Sequence, residues 1–273
     1  MAESARESKA VTLLDRSVAD ALRSWAAPLG CPVAFLESPR TRALTRVEPD
    51  DRCIRTFVRG DVAVVSLPCP DAIESERDLE PMDVDDLLAM TQDDAPLGAI
   101  VDLRATRLRV TDEPPSVELL DEQTFIRRRG AIAMVVINPQ IAVLDMLRNA
   151  VSPEHWRAGG GDLPATRRVG ALAGGVLVAL ASVDQAEGRL ARVRIIVAPG
   201  FRHLGFGRTA LVELLTMVLR DGALPYCRVA VGDLAASALA RAVGFSSFAR
   251  TLTMQFLTVG DMVLDDHSPS QPA

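Results

Sequence analysis

The sequence contains few of the residues that build metal sites and disulfide frameworks. Among 273 residues there are four cysteines and three histidines, and no cysteine belongs to a CxxC pair. We therefore expect no structural zinc, no other bound metal and no disulfide scaffold. Long apolar runs are also missing: none approaches the roughly 20 residues of a membrane span, and the first 30 residues lack the order of a signal peptide. This composition predicts a cytoplasmic protein that does not associate with a membrane.

Positive charge is limited as well. Thirty basic residues face 36 acidic ones, which gives a net charge of -6. A basic surface supplies most of the affinity of nucleic-acid-binding proteins, so we expect no nucleic-acid partner. The charge is uneven along the chain: residues 1–124 carry 25 acidic and 14 basic side chains, whereas residues 125–273 carry 11 and 16. The two halves are therefore expected to have different roles.

A domain boundary is predicted at about residues 112–125. The paired Pro114 and Pro115 at its start can continue neither a helix nor a central strand. We assign residues 1–120 to a small α+β domain of unknown role, residues 121–262 to a second domain and residues 263–273 to a flexible tail. A faint similarity between residues 98–101 and 170–173 leaves open that the first domain is a degenerate copy of the second.

Short patterns predict the elements of the first half. A stripe at helical spacing runs from Val11 through Leu14, Val18 and Leu22 to Trp25. Strand-like runs occupy residues 32–36, 55–58, 62–67 and 98–103. Ten carboxylates lie between residues 71 and 94. They form either a solvated surface or a docking surface for a cationic substrate or partner.

The second half alternates strands and helices more clearly. Ser152 and Pro153 open a short helix as cap and first residue, and Gly174 and Gly175 suit a hairpin turn. Strands are predicted over residues 131–137, 169–173, 176–183 and 190–197, with a helix over residues 141–147.

The most informative stretch runs from Val197 to Ala210. It follows an apolar strand and enters a helix with a regular apolar face, and a strand, a glycine turn and a helix in that order form an anion site. Gly205 and Gly207 would let the main chain approach phosphate oxygens, while Arg202 and Arg208 could donate to them. No lysine follows the glycines, which excludes a Walker loop. The buried face of the helix is predicted to be Leu211, Leu214, Leu215, Val218 and Leu219.

Two phosphate ligands fit this stretch. Residues 205–210 formally match the dinucleotide fingerprint G-x-G-x-x-A, but seven residues separate Gly205 from the end of the preceding strand, where the fingerprint follows directly. The spacing Arg202-x-x-Gly205-x-Gly207, after Val197-x-Pro199, instead resembles the acyl-CoA pyrophosphate loop of the GNAT superfamily of N-acyltransferases.

A second segment carries the same resemblance. Residues 231–245 are similar to the next strand and helix of that superfamily, with Asp233 as helix cap in place of the usual asparagine and Gly244 as a left-handed stop. The apolar side of this helix is predicted to be Leu234, Ala238, Leu239 and Ala242. Together the two segments extend the resemblance over about residues 125–260.

The resemblance implies a fold and an activity. The fold would be mixed α+β, with a central, mostly antiparallel sheet in which strands 190–197 and 226–231 splay apart. The activity would be transfer of an acyl group, by direct attack, from acetyl-CoA or another acyl-CoA to the amine of a small molecule. The implied contacts with the co-substrate are Ile195, Ile196, Val197, Arg202, His203, Leu204, Gly205, Phe206, Gly207, Arg208, Asp233 and Ala236.

The sequence also departs from the pattern of the superfamily. Ala240 stands where a tyrosine commonly protonates the departing thiolate, and Arg192 and Arg194 stand where carboxylates are often found. The catalytic residues are therefore unknown, with Tyr226 and Cys227 as the nearest candidates for an acid.

Two histidines and the identity of the acceptor complete the expectations. His155 could line the acceptor pocket, whereas His203 is expected to be a solvated turn residue. The acceptor is expected to be a small cationic metabolite, with a protein N-terminus or lysine left open. A homodimer is also left open.

Two alternatives to a CoA-dependent transferase follow from the same residues. The missing acid fits a non-catalytic acyl-CoA binder or regulatory module. Transfer from the thioester of an acyl-carrier protein is the other, with a docking patch formed by Arg127, Arg128, Arg129, Arg167 and Arg168.

Overall fold

The computed structural model describes residues 18–38, 40–47, 53–68, 100–103, 106–112, 115–120, 122–183, 189–230 and 232–256. The chain forms two compact units. The first comprises Met1–Ser24 with Val117–Phe248, and the second comprises Trp25–Ser116 with Ala249–Ala273. The division after Ser116 lies within the segment 112–125, and each unit also includes one end of the chain. The acidic residues 71–94 and the tail 263–273 lie outside the described residues.

The second unit is built on a sheet of short strands in the order β1-β3-β2-β12, with β5 also paired to β12 and β4 paired to β5. β1 runs parallel to β3, and β2 runs antiparallel to it. The buried Ile54, Phe57, Val64 and Val65 form its core. The elements are α1 (residues 18–26, shared with the first unit), α2 (Val33–Glu37), β1 (Arg42–Val47), β2 (Cys53–Arg59), β3 (Val62–Pro68), β4 (Ile100–Leu103), β5 (Thr106–Asp112) and β12 (Ser246–Phe256).

One element of this unit differs from its prediction. The strands expected over residues 55–58 and 62–67 are confirmed, and the described part of the run 98–103 is the strand β4. The strand expected over residues 32–36 is wrong, because Pro32 is the N-cap of the helix α2 and its carbonyl accepts from the N–H of Phe35. Proline supplies the fixed φ that a first helical turn tolerates. A run this short has no periodicity that separates a helix from a strand.

The first unit contains a mixed sheet in the order β6-β11-β10-β9-β8-β7. Strands β7 to β10 pair antiparallel, and β10 pairs parallel with β11. The mostly antiparallel α+β architecture expected from the sequence is confirmed. The elements are β6 (Pro115–Leu119), β7 (Met134–Ile137), α3 (Ile141–Ala150), α4 (Pro153–Ala158), β8 (Arg167–Ala173), β9 (Val176–Val183), β10 (Leu190–Val197), α5 (Phe206–Arg220), β11 (Leu224–Ala230) and α6 (Leu234–Val243).

Helices cover both faces of this sheet. Val193 and Ile195 of β10 pack in one cluster with α5, whereas Ile196 packs on the other face with Leu147 of α3 and Trp156 of α4. This division follows from the alternation of side chains along a strand. The predicted face of α5 is confirmed, with four of its leucine and valine side chains buried and Leu219 half-buried. No helix among the described residues is long and apolar enough to cross a membrane.

The predicted face of α6 is only partly correct. Leu239 is half-buried and packs against the core, but Leu234 is 79% exposed and Ala238 is also exposed. Ala240 and Val243, outside the predicted face, are buried. Alanines are distributed all around this helix, so its sequence pattern only weakly indicates which side is buried.

The predicted helix cap at Ser152 and the predicted hairpin turn at Gly174 and Gly175 are confirmed. Ser152 accepts a hydrogen bond from the backbone N–H of His155 at 3.1 Å, as an N-cap should. Gly174 and Gly175 have φ values of 57° and 84°, which suit a tight hairpin between β8 and β9.

Candidate active site

The site begins where two parallel strands separate. β10 and β11 pair through Leu190 with Leu224, Ala191 with Pro225, and Arg192 with Tyr226. Within the described part of both strands the pairing stops there, while β10 continues to pair with β9 as far as Val197. The predicted splay between the two strands is therefore confirmed, and it leaves a gap in the sheet beyond Arg192.

A cavity of about 210 Å³ opens at this gap. Its lining comes from both splayed strands, from the end of α4 and from α6, so it lies entirely within the first unit. The lining residues are His155, Ala158, Gly159, Arg192, Val193, Arg194, Ile195, Leu211, Cys227, Arg228, Val229, Asp233, Ala236, Leu239, Ala240 and Phe245.

The N-terminus of α5 follows the end of β10. A single 3₁₀ turn, Pro199–Phe201, leads from the strand into the loop that the sequence identified. Gly205 is the N-cap in the left-handed conformation (φ 87°), and neither a capping side chain nor an acidic residue is found in the first turn. The first N–H groups of a helix have no acceptor within it, and the helix dipole adds partial positive charge there. This end of α5 is therefore suited to an anion.

The two glycines of the loop are required by packing inside the protein. A Cβ on Gly205 would lie 2.5 Å from the carbonyl carbon of Gly130, and a Cβ on Gly207 would lie 2.8 Å from Cγ2 of Val197. The side chain of Thr209 accepts from the N–H of Ala131 at 2.9 Å and fixes the same segment to α5. The spacing of the glycines thus follows from close contact with a neighbouring segment and with β10. The approach of a phosphate to these glycines stays a prediction.

The two arginines of the loop lie in different directions. Nη2 of Arg208 donates to the carbonyl of Ala242 at 2.7 Å, at the C-terminal end of α6. This hydrogen bond holds Arg208 at a helix terminus and uses one of its donors, and its contact with a phosphate stays a prediction. Arg202 is exposed, and its Nη2 lies 3.4 Å from Nε2 of His155.

The remaining predicted contacts fall into three groups. Ile195, Asp233 and Ala236 line the cavity, and the predicted cap is confirmed because Oδ1 of Asp233 accepts from the N–H of Ala236 at 2.9 Å. Ile196 points to the opposite face, and the side chain of Val197 lies against Gly207. His203 (φ 61°), Leu204 and Phe206 belong to the loop and the start of α5, where Phe206 packs edge-on against Phe201.

His155 is the titratable group of the cavity most suited to accept a proton. Burial lowers its pKa, with a further lowering by Arg202, and Asp233 and a hydrogen bond with the backbone of Val197 oppose this. The imidazole is therefore neutral near pH 7, and its Nε2 faces the guanidinium of Arg202. His155 lines the cavity, and its assignment to the pocket of the acceptor stays a prediction. The cap that fixes its position is readable in the sequence.

The two candidate acids are separated. Cys227 lines the cavity, and burial, followed by the charge of Glu118, raises its pKa to about 12. The thiol therefore stays protonated and is not a nucleophile. It is also too weak an acid to give its proton readily to a departing thiolate, whose ordinary pKa is lower. Tyr226 lies half-buried on the other face of β11 from Cys227, at the position that pairs with Arg192, and it is not part of the cavity lining. Ala240 lines the cavity, so the position matched to the usual tyrosine presents a methyl group.

Sequence reasoning missed a group of three arginines. Arg192, Arg194 and Arg228 all line the cavity. The alternation along β10 puts Arg192 and Arg194 on one face, which is readable in the sequence. That Arg228 shares this face depends on the pairing of Arg192 with Tyr226, which only the structure shows. The described residues contain no group of three His, Cys, Asp or Glu side chains that could hold a metal ion.

Comparison with known proteins finds similarity only among solved structures. No family model matches the chain, and no curated protein matches it. A protein from Novosphingobium aromaticivorans assigned to the GNAT family of acetyltransferases aligns with 63% of this chain and 79% of its own, at 20% identity and a TM-score of 0.42. The chain is similar to acetyltransferases of the GNAT family.

Two further solved structures extend this similarity. A GCN5-related N-acetyltransferase from Kribbella flavida aligns with 56% of this chain and 62% of its own, at 14% identity and a TM-score of 0.42. A GNAT-family acetyltransferase from Colwellia psychrerythraea gives 55% and 57%, at 19% identity and the same TM-score. At these levels of similarity, the function of the chain has to be argued from its own cleft.

Proposed function

We propose that this protein transfers an acyl group from an acyl-CoA, with acetyl-CoA as the first donor to test, to the amine of a small molecule. The proposal depends on the gap between β10 and β11, which opens near the N-terminus of α5, where an anion could bind. An extended thioester arm needs a slot between strands, and a diphosphate needs unpaired N–H groups nearby. β10 borders the gap, and the chain continues from its end through the loop into α5, so the two features are neighbours along the chain.

The chemistry of the cavity suits direct transfer. The amine nitrogen attacks the thioester carbonyl, the C–N bond forms and the C–S bond breaks. We assign the proton that the amine loses to the neutral imidazole of His155, which lines the cavity. The departing thiolate takes its proton from water, because no side chain of the described lining is a suitable acid at neutral pH. Cys227 forms no acyl-enzyme, since its thiol stays protonated.

The carrier-protein alternative has less support from the structure. Four of the five arginines of its proposed docking patch already have partners within the protein. Two of them form close ion pairs, at 2.6 Å or less: Arg129 with Glu213, and Arg167 with Asp221. Arg127 lies 4.0 Å from Glu122. Arg168 donates a hydrogen bond to the carbonyl of Leu163. Such pairs already engage charge that an acidic carrier would need.

The test measures binding and turnover separately. Calorimetry with CoA and acetyl-CoA reports binding, and release of free thiol in the presence of a panel of amines reports transfer. We expect both. Binding of CoA without thiol release from any donor and amine would refute the transferase and favour a non-catalytic acyl-CoA binder. Absence of CoA binding to the folded protein would refute both.

A further inference from the structure

Three arginines contribute to the lining of the cavity. Arg192 and Arg194 come from β10 and Arg228 comes from β11, near the point where these strands diverge. Arg192 pairs with Tyr226, and Arg194 and Arg228 each lie two residues further along their strands. The three arginines therefore share one face of the sheet, which α4 borders.

The protein holds these arginines in place. Arg194 donates from Nη1 to the carbonyl of Ala158 at 3.3 Å, and its side chain lies so close to Gly160 that a Cβ there would meet Cδ at 2.3 Å. Arg192 and Arg228 also interact with other residues of the chain. A guanidinium has five N–H donors, so internal partners leave donors for a ligand while limiting the motion of the group.

The lining carries more basic than acidic side chains. Asp233 is its single carboxylate, and Oδ1 of that residue is engaged as the cap of α6. Glu118 is close enough to influence Cys227 but lies outside the lining. A negatively charged ligand is therefore favoured in this cavity over a positively charged one.

The diphosphate of the donor is expected at the N-terminus of α5, beyond Val197. Arg192 lies five residues before Val197 on β10, about 16 Å away at roughly 3.3 Å per residue. A second negative group, bound where the strands part, would meet the arginines of the lining. Planar guanidiniums match a carboxylate in two-pronged hydrogen bonds.

We infer that this enzyme selects a substrate that carries a carboxylate close to the reacting group, bound by Arg192, Arg194 and Arg228. The carboxylate belongs either to an amino-acid-like acceptor or to the far end of a dicarboxylic acyl chain. The inference rests on the proposed transferase function. It replaces the cationic acceptor suggested by residues 71–94 with an acceptor or donor that bears negative charge.

The experiment compares matched substrates with and without the charge. One arm pairs free amino acids with their C-terminal amides, using acetyl-CoA. The other pairs succinyl-CoA with butyryl-CoA, using an uncharged amine. We expect kcat/KM to favour the carboxylate by about ten-fold or more in one arm, and that arm identifies the source of the charge.

Variants show whether the arginines cause the preference. Arg192→Gln and Arg228→Gln should reduce it to about two-fold or less, and Arg192→Lys, which keeps the charge but loses the planar fork, should give an intermediate value. Arg241→Gln, on the exposed side of α6 and outside the lining, makes the same change in net charge and should leave the preference intact. Thermal unfolding of each variant checks that it is folded.

The outcomes separate the inference from the proposed function. Transfer that is equally fast with and without the carboxylate in both arms overturns the inference and leaves the transferase standing. If no pair reacts, calorimetry with CoA present compares each amino acid with its amide, and succinyl-CoA with butyryl-CoA. A preference for the carboxylate that Arg228→Gln abolishes then supports the arginine site while the transferase fails. No preference in binding overturns the inference.

Discussion

Leu204→Asp tests whether a diphosphate binds at the start of α5. Leu204 lies two residues before Phe206, the first residue of the helix, and is 58% exposed. The substitution places one negative charge beside the expected position of the diphosphate. It should not unfold the protein, because a carboxylate near a helix N-terminus is favourable by about 0.3–1 kcal/mol.

The expected loss follows from the repulsion. Two unit charges 4–6 Å apart repel by about 0.7–1 kcal/mol in water and about 3–4 kcal/mol at the dielectric typical of a protein surface. Salt and the exposure of the loop reduce the larger figure, so we expect a loss of about 1–2 kcal/mol. This corresponds to a Kd about 5- to 30-fold higher.

The assay is calorimetry with CoA at low and moderate salt. Leu204→Asn is the matched control, since it makes nearly the same change in shape without the charge, and it should bind CoA almost as well as the unmodified protein. The difference between the two variants should shrink as salt rises. Equal affinities of the Asp and Asn variants at low salt would contradict a diphosphate at this helix end.

Three further changes test other parts of the site. Gly207→Ala should lower the free energy of unfolding by about 1–3 kcal/mol, because its Cβ would lie 2.8 Å from Cγ2 of Val197. Gly200→Ala is the control, since its Cβ meets no neighbour within 4 Å, and it should change thermal unfolding little. Similar melting temperatures of the two variants would contradict the packing role of Gly207. The pKa of His155 is lowered, so the rate of transfer, divided by the fraction of the amine that is unprotonated, should stay high as pH falls to the ordinary histidine value of about 6.5 and decline only below it. His155→Gln should remove that decline, and an unchanged pH profile would refute its role as base. In a variant that keeps Cys227 as its sole cysteine, the folded chain should resist alkylation at pH 8 and react after denaturation, because the pKa of the Cys227 thiol is raised to about 12. Rapid labelling of the native chain would show that the thiol is ionised.

The elements around the loop could be predicted because strong local signals agree there. The apolar period of α5, the caps at Ser152 and Asp233, and the paired glycines of the hairpin each act over a few residues. The helix α2 was mistaken for a strand because its run is too short for a period to appear.

The composition of the cavity could not be predicted in the same way. Whether Arg194 and Arg228 share a face depends on the register between two strands that are about 30 residues apart in sequence, and the sequence does not fix that register. The partner of Arg208 is a carbonyl on another helix, and the neighbour of Gly205 is the backbone of Gly130. Long-range contacts of this kind become visible only in three dimensions.

The contact between Gly130 and Gly205 has a consequence for how this protein can evolve. A Cβ on either glycine would lie 2.5 Å from a backbone atom of the other. No substitution can make a backbone atom smaller. A larger residue at either position has no compensating partner, unlike a change between two side chains. The pair should therefore persist in distant descendants even after the arginines of the cavity have been exchanged for a new substrate, and it offers a marker for tracing that ancestry.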